Sequence, residues 1–208
     1  MKVIAINGSP KAEGNTHQAL TIVAQQLEEE GISTEIIHIG DKNIHGCVGC
    51  GGCFRNKNEK CVIDDEVNKI IQKMKTADGI IIASPVYYAS IAGTMKCFLD
   101  RAFYVAGSNG GLFRHKVGAS VAVARRSGEV ATFDHLNHYF TLAEMFVTSS
   151  NYWNVIHGRD PGEILKDEEG MQIMRVLGKN MAFLIKLLHN NSVPLPEKEA
   201  KIMTNFIR

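Results

Sequence analysis

Four cysteines fall within fifteen residues: Cys47, Cys50, Cys53 and Cys61. The first three stand two residues apart, and seven residues separate the third from the fourth. In an oxidising compartment such an even cluster reads as disulfides, whereas in a reducing one the same crowding reads as metal or redox chemistry. Three thiols at that pitch can ligate one compact group if the backbone wraps around it and aims N–H groups at sulfur. Gly46, Gly49, Gly51 and Gly52 supply the freedom to do so. Three readings are open on the residues alone: a 4Fe–4S cluster, bare thiols, or a tetrahedral zinc. The proline that follows the last cysteine in bacterial ferredoxins is missing, and Val62 stands there instead. Cys97 lies alone in an apolar helical stretch and reads as a small buried hydrophobe. His45 is a loop residue, and no other histidine shows metal-ligand spacing.

A second stretch with chemical character runs Asn7-Gly8-Ser9-Pro10-Lys11-Ala12-Glu13-Gly14-Asn15-Thr16 between an apolar run and a helical pattern. Small and hydroxylated residues ahead of a helix N-terminus offer free N–H groups, short hydroxyls and a favourable dipole to an anion. No Gly-Lys-Ser/Thr triplet closes the loop, and Gly-x-Gly-x-x-Gly is absent, so neither a Walker site nor a dinucleotide fingerprint is present. What remains is a phosphate monoester held by Ser9, Asn15, Thr16 and backbone amides, or merely a turn capped by Asn15 or Thr16. Further on, Ser84-Pro85-Val86-Tyr87-Tyr88-Ala89-Ser90 forms a loop stiffened by proline, with two tyrosines against which a planar ligand could rest. The plainer alternative has those tyrosines closing the core. Ala124-Arg125-Arg126-Ser127-Gly128-Glu129 offers arginines to an electron-rich ligand, or simply two solvated cations.

These loops need elements to hold them. Apolar runs at Val3–Ile6, Gly79–Ala83 and Gly118–Val123 read as strands covered on both faces. Thr34–Ile39 reads as another strand, and a fifth lies within Thr148–Ile156. Helical spacing appears over Thr16–Glu30, after an Asp64 cap through Met74, over Ile91–Tyr104, from Glu129 to Ala143, and from Asp167 to Leu188. Strand and helix alternating in this way predict a single α/β domain, residues 1–190, with a doubly wound, five-stranded parallel sheet. A tail, residues 191–208, carries little pattern and reads as an arm that packs on a partner. At 208 residues and 45% hydrophobic, the chain can bury a core without disulfide or metal staples. Its 23 basic and 22 acidic residues leave a charge of +1, which argues against nucleic acid or an anionic membrane as partner. The longest apolar runs are too short to span a bilayer and no leader precedes the first strand, so a cytoplasmic location is expected.

Taken together, Asn7-Gly8-Ser9-Pro10, Gly14-Asn15-Thr16, Ser84-Pro85-Val86-Tyr87-Tyr88 and Phe98-Leu99-Asp100-Arg101 resemble the flavodoxin-like NAD(P)H-dependent FMN reductases, from Met1 to about Gly158. The resemblance implies strand order 2-1-3-4-5, with FMN at the switch between strands one and three. It places Ser9, Lys11, Asn15 and Thr16 on the FMN phosphate and Pro85, Val86, Tyr87 and Tyr88 along the isoalloxazine ring. Arg126, Ser127 and Gly128, in the loop from Ala124, would cover the other rim. The cysteine run resembles the iron–sulfur flavoproteins, a branch of the same fold with a 4Fe–4S cluster on the equivalents of Cys47, Cys50, Cys53 and Cys61. The implied function is an oxidoreductase passing electrons from NAD(P)H, or ferredoxin, through FMN to a small acceptor such as a quinone or flavin. An electron carrier with no substrate of its own is the alternative. No side chain is required as acid or base, and a homodimer or homotetramer is expected.

Overall fold

In the computed structural model, which describes residues 1–204, the chain alternates strand and helix around one parallel sheet. The elements run β1 (Lys2–Asn7), α1 (Asn15–Glu29), β2 (Ser33–His38), α2 (Gly52–Asn56), α3 (Glu66–Thr76), β3 (Gly79–Tyr87) and β4 (Ser90–Ile91). They continue with α4 (Gly93–Ser108), β5 (Val117–Ala124), α5 (Glu129–Leu142), β6 (Phe146–Val147), β7 (Val155–His157) and α6 (Glu168–His189). The sheet order is β2-β1-β3-β5-β6, with β7 also on β5 and β4 turned back antiparallel on β3. Counting β6 and β7 as one interrupted strand, this is the expected flavodoxin-like order 2-1-3-4-5.

Alternation along the central strands divides the core into two layers, because successive strand residues point to opposite faces. Val3 and Ala5 of β1, with Ile81 and Ala83 of β3, pack against α1 and α6 through Leu20, Val23, Leu177 and Met181. Ile4, Ile6, Ile80 and Ile82 face the other way, toward α3, α4 and α5, meeting Ile71, Phe98, Leu99 and Phe140. The strands are buried on both sides, which is why they read as continuous apolar runs. Among the described residues, no helix is long and apolar enough to cross a membrane.

Three local expectations change. The cap of α3 is Asp65, whose side chain accepts from the Val67 N–H at 3.1 Å, and not Asp64. Neighbouring aspartates look alike in sequence; the one selected also meets a buried arginine on α4. The fifth strand does not run through 148–156: it pairs with β5 at Phe146–Val147 and again at Val155–His157. Residues 148–154 between them carry no strand. Pro85 to Tyr87 extend β3 into a hairpin with β4, where a loop was expected. Residues 191–204 have no helix or strand, and Arg114 holds part of them by donating to the carbonyls of Pro196 and Glu197 at 3.0 and 3.1 Å. The last four residues of the expected tail, 205–208, lie outside the described residues.

Candidate functional site

The chain leaves β1 for β2 on one side and β3 on the other, so a crevice opens beyond the carboxyl ends of β1 and β3. The loop after β1 is folded by its own polar groups. Asn7 is fully buried; its Oδ1 accepts from the Ser9 N–H at 3.0 Å and its Nδ2 donates to the Ala12 carbonyl at 3.1 Å. Gly8 N–H donates to the Ala83 carbonyl of β3 at 2.9 Å, and Ser9 Oγ accepts from Lys11 N–H at 3.2 Å. From the end of β2, His38 Nε2 lies 2.7 Å from the Ser9 carbonyl oxygen. Gly40 passes so near that a Cβ there would sit 2.0 Å from that same oxygen.

Neither Asn15 nor Thr16 caps α1. The N-cap is Gly14, which has no side chain to accept from the first turn. An uncapped helix start leaves N–H groups in need of an acceptor, and its dipole favours an anion. Ser9 and Thr16 are buried beside this turn, while Lys11 is exposed. The Asn15 side chain is engaged elsewhere, donating to the Asp160 carbonyl at 2.9 Å and accepting from the Gly162 N–H at 3.0 Å. It ties the loop after β7 to the start of α1.

The other two segments meet each other. Tyr88 and Ala89 form the tip of the β3–β4 hairpin with φ of +50° and +57°, a left-handed pair without glycine. Such strain in bulky residues persists only where surrounding structure enforces it, and it gathers at ligand sites. Tyr87 and Tyr88 are exposed, so neither closes the core. Gly128 has φ of +92°, and a Cβ on it would lie 2.8 Å from Ala89 Cα. The loop carrying exposed Arg126 and Ser127 therefore packs against the hairpin tip through Gly128. Ser84 locks the hairpin base, accepting from Ala92 N–H at 3.0 Å and donating to the Pro85 carbonyl at 2.8 Å.

The cysteine loop follows β2 and covers the end of α4. Cys47 and Cys50 are exposed, Cys61 is half-buried and Cys53 is buried at the start of α2. All four line one small cavity with Val62, Ile63, Arg101, Tyr104 and Val105. Among the described residues, no three cysteine, histidine or carboxylate side chains gather closely enough to hold a single metal ion. Cys97 is half-buried against the core, with Sγ 3.6 Å from where a Gly46 Cβ would be.

The sequence assigns no role in this loop to the residues that hold it; Arg101 enters only as the end of the Phe98–Arg101 motif. Asn68 of α3 accepts from the Cys61 N–H at 2.7 Å and donates to the Cys61 and Ile63 carbonyls at 3.0 and 3.2 Å. Asn109 accepts from the Glu59 N–H at 3.0 Å and donates to the Cys53 carbonyl at 3.4 Å. Arg101 heads the largest fully buried side chains and donates to Asp65 through both terminal nitrogens, at 2.6 and 2.8 Å. Burial, the largest influence on its pKa, would lower it; hydrogen bonds with Asp65 and Cys61 outweigh that and raise it. Nearby on α5, the Tyr139 phenol is pushed up to about 12, first by burial and then by its hydrogen bond to Asp100.

Residues 1–160 match the family model described as NADPH-dependent FMN reductase. An iron–sulfur flavoprotein of Methanocaldococcus jannaschii is 38% identical over 195 residues, which cover 90% of this chain and 99% of the relative. The iron–sulfur flavoprotein of Methanosarcina thermophila is 30% identical over 199 residues, covering 92% and 98%. Among solved structures, RosB with a bound 8-demethyl-8-formylriboflavin-5'-phosphate shares the fold, with a TM-score of 0.75 and 17% identity over 99% of this chain and 92% of that one. Both the matched length and the near-complete cover of these relatives lead to one conclusion: the chain belongs to the NADPH-dependent FMN reductase family and is related within it to the iron–sulfur flavoproteins.

Proposed function

We propose that this protein is an FMN-dependent oxidoreductase that passes electrons from NAD(P)H, or from reduced ferredoxin, to a small acceptor such as a quinone or flavin. The observation that carries the reading is the uncapped start of α1, at the crevice where the sheet order reverses. When bound, FMN supplies a ring that takes a hydride from a nicotinamide and releases electrons to an acceptor. Ser9, Lys11, Thr16 and the first N–H groups of α1 would hold its phosphate, with Asn15 fixing the neighbouring loop. Pro85, Val86, Tyr87 and Tyr88 would line the ring on a hairpin held by Ser84 at its base and Gly128 at its tip, and Arg126, Ser127 and Gly128 would bound its other rim. No side chain is assigned acid or base work; the chain's part is to place two rings and keep water from them.

On the same reading, Cys47, Cys50, Cys53 and Cys61 hold a 4Fe–4S cluster, which adds one-electron transfer to the flavin chemistry. The supports are their common cavity, the donor that Arg101 directs at Cys61 and the likeness to iron–sulfur flavoproteins. Exposed Tyr88, Tyr152 and Trp153 favour a homodimer or homotetramer in which a second copy covers these aromatics. The test is an anaerobic titration of purified, FMN-loaded protein with NADPH, followed by a quinone. Bleaching of the flavin bands and their return on adding quinone are expected. A folded protein that binds no FMN, or bound flavin untouched by both NADPH and reduced ferredoxin, would overturn the proposal.

A further inference from the structure

Arg101 is unusual in two respects. It lies on α4 with a side chain of 0% exposure, flanked by the buried Phe98, Leu99, Ala102 and Val105. A buried guanidinium is costly unless its charge is neutralised and all five donors are used. Here they are. Nη1 donates to Asp65 Oδ2 at 2.6 Å and to the His45 carbonyl at 3.2 Å. Nη2 donates to Asp65 Oδ1 at 2.8 Å and to the Ile63 carbonyl at 3.1 Å. The fifth donor, Nε–H, goes to Cys61 Sγ at 3.4 Å.

The first four bonds explain a structural clamp, since they draw both flanks of the cysteine loop onto α4. The fifth is a different matter. A neutral thiol is a weak acceptor, while a sulfur bearing negative charge is a strong one. Cys61 does not need Arg101 to fix its backbone, because Asn68 already holds its N–H and its carbonyl. Asp65 pairs with the guanidinium at both ends of its fork, so what reaches the sulfur is a directed N–H from a largely neutralised pair. Such donors to a metal-bound sulfur orient the ligand and tune the centre's reduction potential.

We propose that Arg101 is a positioning residue that holds Cys61 as the fourth ligand of the cysteine centre and raises its reduction potential through the Nε–H···Sγ bond. The inference rests on the reading that the four cysteines hold a cluster. Reduction adds one electron, so the sulfurs become more negative, and a donor aimed at one of them favours the reduced state. Asp65 opposes this by its charge. The two residues therefore act with opposite sign on the potential, while a purely mechanical role would give both losses the same direction.

Arg101→Lys keeps a cation against Asp65 but puts a methylene where Nε stood. Asp65→Asn keeps Oδ1 as acceptor for Val67 N–H and for Nη2, removes the charge, and replaces the Oδ2 that takes Nη1 by an amide donor. The experiment uses the full chain, reconstituted anaerobically with iron and sulfide, then titrated with dithionite and read by electron paramagnetic resonance. Iron and acid-labile sulfide per chain are measured in all three proteins. At equal iron, R101K is expected to show a lower midpoint potential, by about a tenfold change in the oxidised-to-reduced ratio, or about 59 mV for one electron. D65N is expected to shift upward. Equal iron with unmoved potentials, or with both shifts in one direction, would overturn the role of Arg101. Should R101K fail to fold, Arg101→Met, which also puts a methyl carbon where Nε stood, is titrated in its place, and a potential unmoved or raised at equal iron would overturn the role of Arg101. Absence of iron and sulfide from the wild type would overturn the cluster itself, a result distinct from the other two.

Discussion

Gly40 offers a way to disturb the phosphate loop from outside it. The residue follows β2, takes no part in the proposed contacts, and has a backbone conformation open to any amino acid. Its constraint is space alone. A Cβ in Gly40→Ala would lie 2.0 Å from the Ser9 oxygen, 2.2 Å from the Ser9 carbonyl carbon and 2.7 Å from the Gly8 oxygen. Real Cβ atoms essentially never approach within 3.0 Å, so the Ser9 peptide must retreat by at least about 1 Å. That shift disrupts the 2.7 Å contact with His38 and moves Ser9 Oγ, which accepts from Lys11 N–H, away from the phosphate contact proposed for it. Losing one hydrogen bond to a charged group costs about 1.5–3 kcal/mol, which is roughly 10- to 150-fold in Kd. Overpacking costs about 1–3 kcal/mol of stability in addition. Binding of FMN to the apoprotein, followed by quenching of flavin fluorescence, measures the first quantity, and thermal unfolding of the apoprotein measures the second. A folded G40A protein that binds FMN as tightly as wild type would refute the placement of the phosphate beside Ser9.

Asn15→Leu removes the tie to Asp160 and Gly162, so the amides of Arg159, Asp160 and Gly162 are expected to exchange faster with solvent while α1 keeps its protection; unchanged exchange in that loop would count against the tie. Cys50→Ala, at an exposed position, is expected to leave unfolding and FMN content unaltered and to abolish iron uptake on reconstitution; iron equal to wild type would remove Cys50 from the ligand set. Tyr139 ionises at about 12 in the folded protein against about 10 when unfolded, a raised value, so its contribution is full below about pH 10 and is lost as pH rises toward 12. Denaturant midpoints across that window should therefore fall less steeply in Tyr139→Phe than in wild type, and parallel curves would contradict the shift.

The parts of this protein legible in its sequence are those encoded between near neighbours. Val3–Ile6 and Ile80–Ala83 announce buried strands because period-two burial on both faces requires unbroken apolar residues, and the helices follow from their 3.6-residue stripes. The order of those elements suffices for a doubly wound parallel sheet and for the loops at its edge, while the flavodoxin-like strand order follows from the family resemblance of the Asn7–Thr16, Ser84–Tyr88 and Phe98–Arg101 motifs. What tertiary structure decided are the choices among local equals and the pairings between distant residues. Asp65 caps α3 in place of Asp64 because Arg101, 36 residues on, holds its carboxylate. Pro85–Tyr87 join a strand because Ser90–Ile91 turn back on them, and the fifth strand breaks where β5 pairs with it at two separate places. The Asn15 side chain donates to the Asp160 carbonyl, 145 residues distant. Hydrogen-bonding side chains are satisfied by whichever partner the packed chain brings near, and spacing along the chain does not encode that partner.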